Sequence, residues 1–233
     1  MLVLTWNLFH GRAKPAAGRP LAAEFTAALA GWAWDVALLQ EVPPWWAVPL
    51  AERSGAAVAR ALTARNECLA VRRAIARRNP DLLTANGGGA NAILVRGAAI
   101  TAVEEVELTR APERRVGHGV RLADGTWLVN LHASTHPDAQ RKADLALASR
   151  TALAWAAGAS LVFGGDLNAT RPALAGLEHA AGHWVDHVFV AGGLAPSGAG
   201  ETLDAGALSD HAPLRVAVRP RAPRDAGGGQ RPH

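Results

Sequence analysis

Ser160-Leu161-Val162-Phe163-Gly164-Gly165-Asp166-Leu167-Asn168 decides how this chain is read. A short apolar run bounded by glycines predicts a buried strand, and the glycines let neighbouring backbone come close where the polar residues begin. Asp166 and Asn168 lie two apart, so an extended backbone points both side chains the same way. A carboxylate and an amide so aligned can hold a water and a phosphate together; an Asx turn is the structural alternative.

Four other apolar runs also end in polar clusters: Trp6-Asn7, Gln40-Glu41, Asn130-Leu131-His132 and, before the last strand, Ser209-Asp210-His211. Carboxylates, amides and imidazoles delivered to strand ends can converge on one divalent cation and one phosphate. Glu41 closes an apolar strand, where a carboxylate is costly to bury unless it is paired or metal-bound. Asn7 can offer a carbonyl oxygen to the same hard cation or brace a turn. Asp210 and His211 are adjacent groups suited to metal binding and to proton or phosphate chemistry, and Asp186 can fix the His211 tautomer.

Between these clusters the pattern alternates short strands with helices. Leu2 to Trp6, Val36 to Leu39, Asn91 to Val95, Ile100 to Leu108 and Val116 to Leu122 read as strands. So do Thr126 to Leu131, Val185 to Val190 and Leu214 to Val218. Leu21, Phe25, Leu29 and Trp32 recur at helical spacing after Pro20, and residues 138 to 157 form a second helix stopped by Gly158. Asp124-Gly125 signals a hairpin and Gly87-Gly88-Gly89 a turn. Strands, hairpins and interspersed helices imply two packed sheets with helices outside.

The chain has 233 residues, 49% of them hydrophobic and 19% charged, which suits one globular domain. Residues 1–218 are expected to form it. Residues 219–233 carry four arginines against Asp225 among prolines and glycines, and read as a disordered basic tail that supplies much of the net charge of +4. A second basic patch, Arg53 to Arg78, reads as helical; it holds seven arginines against Glu67, and within it Arg72 and Arg73 are candidate phosphate contacts. A solvated helix face is the plainer alternative.

Cys68 is the single cysteine, so no intrachain disulfide can form, and it reads as an inert half-buried residue. No apolar run reaches the ~20 residues that span a bilayer, and no basic stretch precedes the first apolar residues. A cytoplasmic, monomeric protein without stable membrane association is expected. A serine hydrolase would need a Gly-x-Ser-x-Gly elbow, which is absent.

Taken in order, Thr5-Trp6-Asn7, Leu39-Gln40-Glu41, Asn91-Ala92-Ile93-Leu94, Asn130-Leu131-His132, Gly165-Asp166-Leu167-Asn168, Val185-Asp186-His187 and Ser209-Asp210-His211 resemble the endonuclease/exonuclease/phosphatase superfamily, the DNase-I-like fold. The resemblance spans nearly all of residues 2 to 218. It implies a four-layered α/β sandwich of two packed mixed sheets with outer helices, and Mg²⁺ (or Mn²⁺) as cofactor. By motif, Asn7, Glu41 and Asp210 would surround the metal, and Asp166 and Asn168 would position or activate water. His211 with Asp186, and His132, would stabilise the phosphate or shuttle protons, with the base left open between Asp166 and His211. Asn91 would line the pocket. The implied activity is phosphodiester hydrolysis, most directly of nucleic acid; inositol phosphates, lipid head groups and a catalytically inactive nucleic-acid-binding role are alternatives. Two departures stand out. His187 replaces the Tyr that relatives commonly carry after this Asp, and no second acidic ligand is recognisable between Glu41 and Asn91, which leaves one or two metal ions open.

Overall fold

The alternating burial of the strands builds the molecule. The computed structural model describes residues 1–63, 66, 68–82 and 89–221. One sheet contains, in spatial order, β11 (Leu194–Pro196), β13 (Leu214–Pro220), β1 (Leu2–Asn7), β2 (Val36–Val42), β4 (Ala90–Val95) and β3 (Ala57–Leu62), with the short β12 (Glu201–Thr202) also paired to β13. The other runs β5 (Ile100–Thr109), β6 (Arg115–Leu122), β7 (Trp127–His132), β8 (Leu161–Asp166), β10 (Asp186–Ala191) and β9 (Glu178–His183). Both sheets are mixed: β1–β2 and β7–β8 are parallel, and the remaining pairs are antiparallel.

Side chains at every second position meet between the sheets. Val3, Val36, Leu38, Ile93, Val95 and Val216 from the first pack against Val120, Leu128, Val162, Val188 and Val190 from the second. The intervening positions face outward and are covered by helices. Leu4, Trp6, Leu39 and Leu94 lie under α1 (Ala22–Gly31) and α2 (Ala47–Ser54), with Phe25 stacked 5.0 Å from Trp6. Val129, Leu131, Phe163 and Phe189 lie under α4 (Asp138–Ala156). Helix, sheet, sheet, helix gives the four layers.

Toward one edge of the sandwich the inward positions turn polar, and hydrogen bonds replace apolar contact. Gln40 Nε2 donates to Asn130 Oδ1 across the gap at 2.7 Å, and Asn130 Nδ2 returns bonds to the carbonyls of Leu39 and Ala92 at 2.8 and 2.9 Å. His118, opposite Asn130 on β6, is fully buried and has no hydrogen-bond partner on either ring nitrogen.

Several details differ from the sequence reading. The Arg53 to Arg78 segment is not one helix: it contains the end of α2, the edge strand β3 and the separate α3 (Leu69–Ala76). Its alanines satisfy either period, and pairing with β4 decides for a strand. β13 runs through Arg219 to Pro220 and pairs with β11, so the ordered domain extends past residue 218. Residues 222–233 of the expected tail, and Gly87 and Gly88, lie outside the described residues. Cys68 is exposed rather than half-buried. No helix among the described residues is long and apolar enough to cross a membrane.

Burial lowers the His118 pKa from 6.5 to about 4. The unfolded chain therefore takes up a proton between those two values that the fold refuses, and stability falls as pH drops through that window, by up to about 3 kcal/mol. His118→Met should flatten the dependence: urea unfolding at pH 7 and pH 4.5 should show a clearly smaller loss in the variant than in the parent.

Candidate active site

Register places the catalytic candidates. His132 pairs with Asp166 across β7–β8, and Asp166 with Asp186 across β8–β10, so three adjacent strands present one row of groups on the inner face. Gly165 makes this close pairing possible. Its φ is +134°, and a Cβ there would lie 2.0 Å from the Leu131 carbonyl oxygen, so no larger residue fits.

Asp166 is the hub. One oxygen accepts from Asn7 Nδ2 of the opposite sheet at 3.0 Å, and lies 3.5 Å from His132 Nε2 and 3.8 Å from His211 Nε2. The other accepts the Asn168 N–H at 3.0 Å, which is the Asx turn; β8 ends at Asp166 and Asn168 has φ of +50°, so the backbone is not extended across the pair as the sequence reading expected. Asn168 Nδ2 donates to Ala133 O at 2.9 Å, which fixes the amide. Burial, with the charge of Asp186, raises the Asp166 pKa to about 7 against the pull of His211 and of its own hydrogen bonds.

His211 Nδ1 sits 2.8 Å from Asp186 Oδ2. Burial alone would lower the imidazole pKa, but the hydrogen bond and charge of Asp186, with the charges of Asp166 and Asp210, raise it to about 9. His211 is therefore cationic at neutral pH with Nε2 directed at Asp166. His132 is the reverse: burial first, and then the neighbouring Arg115, His10 and His211, hold its pKa well below the usual value, so it is a neutral imidazole. Ser209 supports the approach to His211, donating to Asn7 O at 2.6 Å and accepting the His211 N–H at 3.1 Å. Trp184, 62% exposed, tilts against the His211 ring at 5.4 Å.

Glu41 stands on the far side of His132. It occupies the irregularity between Leu39 and Val42 with φ of +49°, and its Oε1 is 3.9 Å from His132 Nδ1. Its Oε2 is 3.1 Å from Nε2 of His10, a residue the sequence reading passed over. Phe9, His10 and Gly11 all have positive φ, and a Cβ on Gly11 would meet the Trp46 ring at 2.4 Å. Only that folded-back turn brings His10 to Glu41, and no strand or helix pattern announces it. Arg115 was also missed: it is buried, pairs through Nη2 with Glu113 at 2.6 Å, and its Nε has no partner. His10, Glu41, His132, Arg115 and Arg12 line a hollow of about 250 Å³ at the sandwich edge.

The other candidates are placed as follows. Asp210 Oδ1 lies 3.9 Å from His211 Nε2. Asn91 is wholly buried and donates to Val116 O at 3.0 Å, supporting the floor from inside rather than lining the hollow. Arg73 borders a different hollow with Pro44, Trp45 and Arg60, and Arg72 is beside it on α3; neither joins the cluster. His187 faces the outer side, where Nε2 donates to Ala169 O at 2.8 Å and Nδ1 receives a bond from His179. It anchors the chain after Asn168 and does not stand in for a phenol at phosphate.

The donors suit a hard cation. Glu41, Asp210 and Asn7 offer oxygen, and Cys68, the single cysteine, is exposed and does not line the hollow. Among the described residues, Asp166, Asp186 and His211 are the one group of three His, Cys, Asp or Glu side chains that bring ligand atoms within 4.8 Å of one another. Asp186 Oδ1 is buried without a partner, and burial raises the Asp186 pKa. Both features describe a site short of positive charge.

The model of the Endonuclease/Exonuclease/phosphatase family matches residues 4–211. The chain belongs to that family. All three activities in the family's description break phosphate ester bonds, and the row Asn7, His132, Asp166, Asp186 and His211 lies inside the matched span. Solved structures agree on the fold. An endonuclease/exonuclease/phosphatase from Beutenbergia cavernae superposes with a TM-score of 0.71 at 19% identity, over 95% of this chain and 72% of that one. A mannosyl-6-phosphatase from Bacteroides thetaiotaomicron gives 0.67 at 15% identity, over 94% and 99%. TDP2 from Caenorhabditis elegans gives 0.66 at 16% identity, over 94% and 73%. No curated protein sequence matches this family member.

A carboxylate that resists ionisation in the fold costs stability once pH forces its charge. For Asp166 the folded value, about 7, lies above the ordinary 3.8, so its contribution is best at low pH and worsens as pH rises between the two. Between pH 4 and pH 8 the parent should lose on the order of 2–4 kcal/mol of stability relative to Asp166→Asn, read from chelator-treated melts of both proteins at both values.

Proposed function

We propose that this protein is a metal-dependent phosphodiesterase, most directly a nuclease that hydrolyses DNA or RNA by in-line attack of water on phosphorus. The Asp166 carboxylate carries this reading, held between Asn7, Asn168 and two imidazoles of opposite protonation state.

A group that titrates near neutral pH can take a proton from an attacking water without being permanently protonated or too weak a base. Asp166 meets that condition, and because His211 already carries a proton at neutral pH, Asp166 is the better base of the two. Asn7 and Asn168 hold the carboxylate so that its position does not drift. His211, kept in one tautomer by Asp186, points a charged N–H where negative charge builds on phosphate oxygens or on the leaving oxygen. His132 contributes a neutral ring that can donate or accept without adding charge. Mg²⁺ or Mn²⁺, held by Glu41, Asn7 and Asp210, would polarise a phosphoryl oxygen and steady the leaving group.

Arg12 and Arg115 at the hollow favour an anionic substrate, and Arg115 keeps an unused donor there. The small size of that hollow supports a second reading, a phosphatase that takes a sugar or inositol phosphate.

A panel of plasmid DNA, RNA, a chromogenic phosphodiester and inositol phosphates, each with Mg²⁺, Mn²⁺ or chelator, separates these. Cleavage of nucleic acid and of the diester that stops in chelator is expected. Asp166→Asn should lower kcat by about 10²- to 10⁴-fold with the fold intact. Turnover confined to inositol phosphates would replace the nuclease reading, and chelator-insensitive turnover would remove the metal from it.

A further inference from the structure

A second hollow, about 900 Å³, lies between the outer face of α4 and residues 169–175. Arg141, Lys142 and Arg150 rise from α4 and Arg171 from the opposite wall, over a floor that includes Leu145 and Leu174; no Asp or Glu lines it. Arg141 shares its charge with Asp138 at 2.7 Å. Among the described residues, Lys142, Arg150 and Arg171 have no carboxylate within ion-pairing distance. Like charges gathered around one concavity repel each other, and the arrangement concentrates negative ligands there.

One wall separates this hollow from the active site. Thr135 lines the smaller hollow and its carbonyl accepts from Arg141 Nη1 at 3.1 Å. Ala169 lines the larger one and directly follows Asn168, whose amide is tied to Ala133. Asp144, buried on α4, holds the Ser134 N–H at 3.0 Å and keeps the wall in place.

We infer that this hollow is a track for the phosphates flanking the scissile one, so that the substrate is a nucleic acid strand rather than a single phosphate ester. The inference rests on the nuclease reading above. Arg141 and Arg150 are about 13 Å apart along the helix axis, the length of about four stacked nucleotides. The lining contains no aromatic ring, so bases find no stacking platform and binding is by charge, independent of sequence. A lipid headgroup would call for cations gathered at one mouth; here they stand on both walls along the groove.

The test is equilibrium binding, by fluorescence anisotropy, of a labelled single-stranded 12-mer to the Asp166→Asn protein with and without Arg150→Ala and Arg171→Ala. Each lost phosphate contact should flatten the log–log salt dependence by about 0.7, so the double change should flatten it by about 1.4 and weaken binding about 25-fold at 0.1 M salt. Arg150→Lys with Arg171→Lys should keep the slope, because the charges remain. An unchanged slope in the alanine variant, no binding by the parent, or binding to phosphatidylglycerol vesicles without binding to the oligonucleotide would each overturn the track. If the slope behaves as expected while the wild-type protein leaves the strand uncut with Mg²⁺ and Mn²⁺, the track stands and the nuclease reading falls.

Discussion

Hydrogen bonds that cross from one sheet to the other hold this molecule in its working form. Deep in the sandwich, valines and leucines fill the gap and any register that keeps them inside would serve. Near the edge the fit becomes specific: Gln40 must meet Asn130, Asn130 must meet two carbonyls of the facing sheet, and Asn7 must meet Asp166. A buried amide that loses its partner costs far more than a shifted methyl group. Those contacts therefore fix how far the sheets slide and rotate on each other, and the distance from Asp166 to His211, which precedes β13 of the other sheet, follows; the distance to His132 is set by the β7–β8 register.

The same edge gathers unfavourable electrostatics. Two neighbouring carboxylates are buried, one with an oxygen lacking any partner, beside an imidazole that is cationic and another that burial keeps neutral. Opposite charge on His211 offsets part of this, but both carboxyl pKa values still lie above their usual range. Such an arrangement survives because the apolar interior and the two helical layers hold the strands regardless. Asp166 and His211 are thereby held nearer the protonated form than either would be in water at neutral pH.

Much of this was legible in the chain. Runs such as Leu161 to Phe163 gave their strands away by apolar content and glycine borders, and His132, Asp166 and Asp186 share one face because the pairing of β7, β8 and β10 is unbroken there. Helix α1 followed from Leu21, Phe25 and Leu29, all buried. What stayed hidden depends on neighbours distant in sequence. β3, Ala57–Leu62, has no distinctive period and becomes a strand by pairing with β4; β9, Glu178–His183, is almost without apolar residues and exists through β10. His10 reaches Glu41 through a left-handed turn seated on Trp46, and Arg115 enters the hollow through the register of β6. Neither leaves a trace in local pattern.

β1 lies between β2 and β13, and the amino group of Met1 donates to the carbonyl of Val218 at 3.0 Å. The second sheet, by contrast, uses strands that follow one another without interruption from β5 to β10. During synthesis that sheet can pair as it emerges from the ribosome, whereas β1 waits with one flank open until some 200 further residues have been made. His211 arrives only with this closing partner, so the cluster of Asp166, Asp186 and His211 is incomplete in a nascent chain until β13 docks.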